Sequence, residues 1–272
     1  QGVYLTLNGT GLQTGDQLAT ISGGGLGISG QEITLPQLTS AESVSILVRN
    51  VEANFSALTS LRRSSLTLRD GGTAVVDGVT NINGASFSVH DGVTLDLSAA
   101  TSYSHDSSGN DQVRTLRAEG AGSVLSLPNV TTVTGGTHYN SELDIEALWG
   151  GQILLGSVTE IAEPTGGDLR HRAIDILAQG EGSQIDLGSL VSYRDPRGYG
   201  WSRDSQWSTM RTSYGGQILA PNLQQIQGVY LTLNGTGLQT GDQLATISGG
   251  GLGISGQEIT LPQLTSAESV SI

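Results

Sequence analysis

The chain has 272 residues, a formal net charge of −13 and no cysteine. Apolar residues at 36% and aromatics at 4% allow a long, thin aliphatic core but not a thick globular one. All 12 basic residues are Arg, and an acidic surface without a basic stripe argues against nucleic acid and anionic membranes as partners. The missing cysteines exclude a disulfide framework and thiolate metal sites, and no apolar run approaches the roughly 20 residues of a membrane span. No signal peptide is visible; with Gln1 rather than Met in first place that carries little weight, and the ends read as cut from a longer chain.

In chain order, residues 1–46 open a segment that recurs without a change as residues 227–272. Natural duplications drift, so a perfect copy 226 residues on predicts a tandem unit, 1–226, followed by the start of the next, 227–272, within one continuous architecture. Inside the unit a shorter motif returns as GQEITLPQLTSA (30–41), GSVLSLPNVTTV (122–133), GGQILLGSVTEI (150–161), GSQIDLGSLVSY (182–193) and GGQILAPNLQQI (215–226). Its template is G-x-x-I-x-L-P-x-L-T-x-I, usually preceded by a strand-like run such as LDIEA (143–147) or AIDILA (173–178).

The spacing specifies a strand and a corner. In I-x-L the apolar residues alternate, the period of a strand buried on one face. The next apolar residues fall three apart (Leu35, Leu38, Ala41), so the chain turns between them. Pro36, Pro128 and Pro221 stand at that turn, where a fixed φ and a missing N–H are tolerable, and glycines open the preceding corner. A coil of this kind cannot cover its inner face alone; stacked on its neighbours it completes parallel ladders around a continuous core. The first apolar column reads Leu12, Ile33, Ala53, Ala74, Leu95, Leu125, Ile153, Ile185 and Ile218, and then Leu238 and Ile259 in the copy. The predicted fold is therefore all-β: a parallel β-helix, or β-solenoid, of nine coils per unit. A leucine-rich horseshoe also uses L-x-L-P-x-L-T; the β-like second limb (LTL, FSV, LDI, IDI) favours the closed helix.

Successive column residues lie 20 or 21 apart except for four consecutive spacings of 30, 28, 32 and 33. The extra residues enter after the T-x-I corner as four inserts, 104–113, 134–142, 162–171 and 194–208. Leaving one corner of adjacent coils, they are expected to stack as a lobe spanning about 104–208. This lobe concentrates His105, His138, Tyr139, His171, Arg194, Arg197, Tyr199, Trp201, Arg203 and Trp207, the expected contact surface for a glycan or a neighbouring fibre. Equally, the inserts could serve only to cap one another and shield strand edges. The three histidines do not align as metal ligands and read as surface residues. No cofactor is expected, although the acidic stretch 106–111 offers oxygen ligands to Ca²⁺.

Catalysis finds little support. Glycoside cleavage needs two carboxylates about 5–10 Å apart, and the only acids between the two core positions of the template, Asp96 and Asp186, fall three coils apart, roughly 14 Å. No G-x-S-x-G, H-E-x-x-H or phosphate-loop motif is present, though a site carried by loop residues such as Asp168, Asp195 and Arg197 stays open. Ice binding would need flat T-x-T arrays, whereas the column Thr39, Thr59, Thr80, Thr101, Thr131, Thr159 is a single file interrupted by Val191 and Gln224. Sequons at Asn8, Asn54 and Asn129 are what chance supplies in so Asn-, Ser- and Thr-rich a chain.

Through the coil template and the perfect recurrence, the whole chain resembles the tandem-repeat β-solenoids of bacterial surface fibres, adhesins and extracellular filaments. That resemblance implies secretion to the cell surface, end-to-end association with copies of the same unit, a structural rather than enzymatic role, and the insert lobe as a lateral or adhesive contact. A carbohydrate-binding adhesin module is the alternative it leaves, with a polysaccharide lyase or hydrolase behind that. It carries over no catalytic residue.

Overall fold

The computed structural model describes residues 4–8, 17–196, 207–234, 237–240, 243–255 and 260–271. Every strand pairing among them is parallel, and none of the described residues is helical. The horseshoe alternative, with its helical side, is thereby set aside, and no helix long and apolar enough to cross a membrane occurs among the described residues.

The coils wind through three faces. The first face is an eleven-stranded sheet running from Tyr4–Asn8 to Gly251–Ser255, nine strands of which belong to the 226-residue unit. The second face holds the template's I-x-L strands, in a three-stranded sheet from Ile33–Thr34 to Thr73–Val75 and a six-stranded sheet from Thr94–Asp96 to Leu238–Thr240. The third face follows the Pro or Gly corner; its strands run from Thr20–Ser22 to Ser266–Glu268, and single bridges Ser40↔Ser60↔Asn81 extend the first of its two sheets toward the second.

The first apolar column falls into register as expected. Ile33, Ala53 and Ala74 are partners in one sheet, and Leu95, Leu125, Ile153, Ile185, Ile218 and Leu238 in the other; Leu12 and Ile259 lie outside the described residues. Within a coil, Ile153, Leu155, Val158 and Ile161 are all fully buried, and the three faces close on a single aliphatic cluster. The three-residue corner is a turn: Val130 N–H donates to Leu127 C=O at 3.3 Å and Val158 N–H to Leu155 C=O at 3.0 Å. At the preceding corner the glycine pair divides two tasks. Gly150 has φ of 95°, while a Cβ on Gly151 would run into the Ala118 carbonyl of the coil below.

The exposed threonine column is a second stitch between coils. Thr59 and Thr131 each donate a backbone N–H and a side-chain hydroxyl to the carbonyl of the threonine one coil back, Thr39 and Thr101. Val191 and Gln224 lack that hydroxyl bond but keep the amide bond, both at 2.9 Å. This single file serves ladder cohesion.

Candidate functional surface

The inserts do stack. Gly135 N–H donates to Ala162 C=O, Asn140 N–H to Arg170 C=O and Asp168 N–H to Thr137 C=O, so adjacent inserts continue the coil-to-coil ladder. The C-terminal ends of the first two are not loop at all. Gln112–Glu119 and Ser141–Leu148 are eight-residue strands of the first face, where coils without inserts have five residues, as in Ser65–Arg69.

Four of the ten expected contact residues, Arg197, Tyr199, Trp201 and Arg203, lie outside the described residues. Of the others, the structure brings Tyr139 and His171 together, ring edge to ring face with centroids 5.2 Å apart, and places the Arg170 guanidinium 5.1 Å above the Tyr139 ring. Arg170 also clamps its own insert, binding Asp168 at 2.7 and 3.0 Å and holding that carboxyl down at about 2. His138 Nδ1 and the Thr137 N–H both meet Ser107 Oγ, at 3.1 and 2.8 Å. Trp207 is half-buried, and Arg194 pairs with Glu160 on the third face, one coil back.

His105 stands apart from the surface histidines expected there. It is fully buried, its Nε2 lies 2.9 Å from the Gln112 carbonyl, and burial lowers its pKa to about 4. The cause is position: His105 follows the strand Ser102–Ser104 directly and fills the corner that the insert has opened, where a neutral ring is the form that survives desolvation. The acidic stretch 106–111 is likewise engaged in holding the lobe down. Asp106 takes Arg62 at 2.7 Å and Arg63 at 2.9 Å; burial pushes its carboxyl up, but the hydrogen bonds and charges of the two arginines bring it below its ordinary value. Asp111 accepts from Asn140 Nδ2 at 2.9 Å.

Beneath the lobe lies a polar seam that the sequence pattern did not reveal. The residues following four consecutive third-face strands are His105, Gly135, Glu163 and Asp195, each joined to the next coil by a backbone N–H, and all are buried. Gly135 has no room for a Cβ because the Glu163 carboxylate occupies that space. Glu163 faces Arg172 at 3.5 Å with both side chains fully withdrawn from solvent. Ser208 donates its hydroxyl to Asp195 Oδ2 at 2.9 Å and accepts the Ile174 N–H at 3.0 Å. A neutral histidine, a glycine that makes room for the next coil's carboxylate, a glutamate and an aspartate at four successive opened corners are a pattern of position, not of residue type, and only alignment on the T-x-I corner would have exposed it.

The first face carries a second unforeseen group. Asp144 and Asp175 are register partners on adjacent coils, and Glu142, Asp144 and Asp175 each bring a carboxylate oxygen within 4.8 Å of the others, close enough for their charges to repel strongly or for a cation to sit among them. Thr209 Oγ1 donates to Asp175 at 2.7 Å. Burial first, then the charges of Glu142, Glu146 and Asp175, raise the Asp144 carboxyl to about 7; burial raises Asp175 as well. The folded state binds a proton that the unfolded state releases between 3.8 and about 7, so this site's contribution to stability declines as pH rises through that window. Asp144→Asn is expected to stabilise the protein at pH 8 by about 1–2 kcal/mol, after discounting for solvent screening, and to leave it unchanged near pH 4; urea melts at the two pH values check this.

In comparison with known proteins, no family model, no curated protein and no solved structure matches the chain.

Proposed function

We propose that this chain is a structural segment of a long extracellular filament, built by stacking 226-residue β-solenoid units end to end, without catalytic activity of its own. One observation carries the reading: the second copy of the repeated segment re-enters the ladders without a break. Thr209 pairs with Tyr230, Ile218 with Leu238 and Ile226 with Ile247. Beyond that seam the copy reproduces the first unit's own register, Tyr230 on Gly251 as Tyr4 lies on Gly25. A coil offers strand N–H and C=O groups to the coil on either side, and an identical unit stacked in the same register supplies their partners. Axial hydrogen-bond ladders supply stiffness, and the acidic exterior keeps such a rod hydrated. The stacked inserts, with Arg170, Tyr139 and His171 at their surface, are the part available for lateral or adhesive contact.

A chain carrying several units in tandem is the test material. Electron microscopy is expected to show straight, unbranched rods whose length grows in proportion to the number of units. Beads of separate globules on a flexible string would contradict the proposal.

A further inference from the structure

At the corner between the first and second faces, successive coils place one residue in the left-handed region: Asn50 (φ 51°), Asp70 (54°), Asp91 (59°), Gly120 (92°), Trp149 (51°), Gly180 (93°) and Tyr214 (50°). Asn, Asp and Gly are the residues that tolerate this conformation; a bulky aromatic there is strained. Trp149 and Tyr214 accept that strain without gaining burial, being 54% and 77% exposed. They are also not independent. The glycine between them, Gly180, leaves room for the Trp149 ring, since a Cβ there would come within 2.6 Å of Trp149 Cε3. The two rings stack across it with centroids 6.3 Å apart and planes inclined by 29°. An aromatic pair held in solvent at a conformational cost is explained by what it contacts.

Tyr214 forms one wall of a groove of about 480 Å³ with Gln152, Gln184 and Gln217 in its lining, and Trp149 adjoins it through its stack on Tyr214. These glutamines are register partners on three successive coils, so their amides repeat along the axis at the strand spacing of about 4.8 Å. Each amide supplies donors and an acceptor but no charge, and the one charged residue in the lining is Glu181. Exposed ring faces meet the C–H faces of pyranose rings, while a periodic row of amides meets their hydroxyls; the acidic lining repels a polyanion.

We propose that Trp149 and Tyr214, with the glutamine file of Gln152, Gln184 and Gln217, form a binding site for a neutral linear polysaccharide, lying along the solenoid axis and distinct from the insert lobe. The site occurs once in each unit, so a tandem array would hold such a polymer at many points and gain avidity without further contacts. Binding by a single chain is independent of whether units assemble into filaments, so the two proposals stand or fall separately.

Affinity electrophoresis of the 272-residue chain through gels containing a neutral β-glucan, a galactomannan or an arabinoxylan, with polygalacturonate as the acidic control, is the test, alongside thermal melts. The chain is expected to be retarded by at least one neutral polymer and not by the acidic one. Trp149→Asn and Tyr214→Asn should each weaken that retardation about threefold to tenfold, the loss of one ring-stacking contact, while their melting temperatures hold or rise, because Asn suits the backbone better. Retardation by no neutral polymer, equal retardation of the variants, or a fall in their melting temperature would overturn the assignment, the last by making the pair a structural brace.

Discussion

Arg172→Met is expected to destabilise the protein by about 3–5 kcal/mol, the loss that follows when one member of a buried ion pair is removed. The guanidinium is fully buried beside Glu163, and it also donates to three backbone carbonyls: Gly136 at 2.7 Å and Gly166 at 2.9 Å from Nη1, and Pro164 at 2.6 Å from Nη2. It therefore ties two adjacent inserts to each other and to the corner beneath them. Methionine fills most of the volume but leaves a buried carboxylate and three carbonyls without their donor. Arg172→Met combined with Glu163→Gln should recover part of the loss, because the uncompensated charge is then gone; a coupling of about 0.5–3 kcal/mol is the expected range for contacting residues. Urea unfolding of the two variants measures both quantities. A single variant within about 0.5 kcal/mol of the parent, the ordinary range for a surface change, would mean that the seam is not a keystone of the lobe.

The second large effect lies in the spine. Ile153→Ala should cost about 2–5 kcal/mol, since it removes buried methylenes and leaves a void between two coils. Ile153 is fully buried, with Leu125 below and Ile185 above it in register. Its neighbour Leu154 points outward and is half-exposed, so Leu154→Ala should cost well under half as much. Hydrogen exchange should localise the first loss to the flanking strands, because a solenoid coil depends chiefly on its nearest neighbours. Equal costs at the two positions would contradict the inward and outward assignment on which the register rests.

That register was legible in the sequence because it is enforced residue by residue. A slip of one position would turn Ile153, Leu155 and their counterparts to solvent, so the apolar pattern alone identified which residues are partners across six coils. The same logic placed Asp96 and Asp186 three coils apart, as the ladder has them. Where the chain leaves the repeat, pattern gives way to packing. His105 looks like a loop residue, yet it occupies the interior corner that its insert opens. Asp106 looks like an oxygen ligand, yet the adjacent arginines Arg62 and Arg63 claim it. The acidic trio was hidden for a different reason. Alternation correctly turns Glu142, Asp144 and Asp175 outward; Asp144 and Asp175 stand at an ordinary strand position, but Glu142 joins them only because the insert lengthened its strand at the N-terminal end. Trp149 and Tyr214 were overlooked because neither residue type marks its corner as left-handed; the run Asn50, Asp70, Asp91 at equivalent positions was the available signal.

The central claim is that units continue one another's ladders along a single axis. X-ray diffraction from aligned filaments of a chain carrying several units in tandem tests it most directly. A meridional spacing near 4.8 Å, with a longer axial repeat of about 43 Å from nine stacked coils, is the predicted result. A repeat far from that value, or a strand spacing lying across the filament axis, would contradict it.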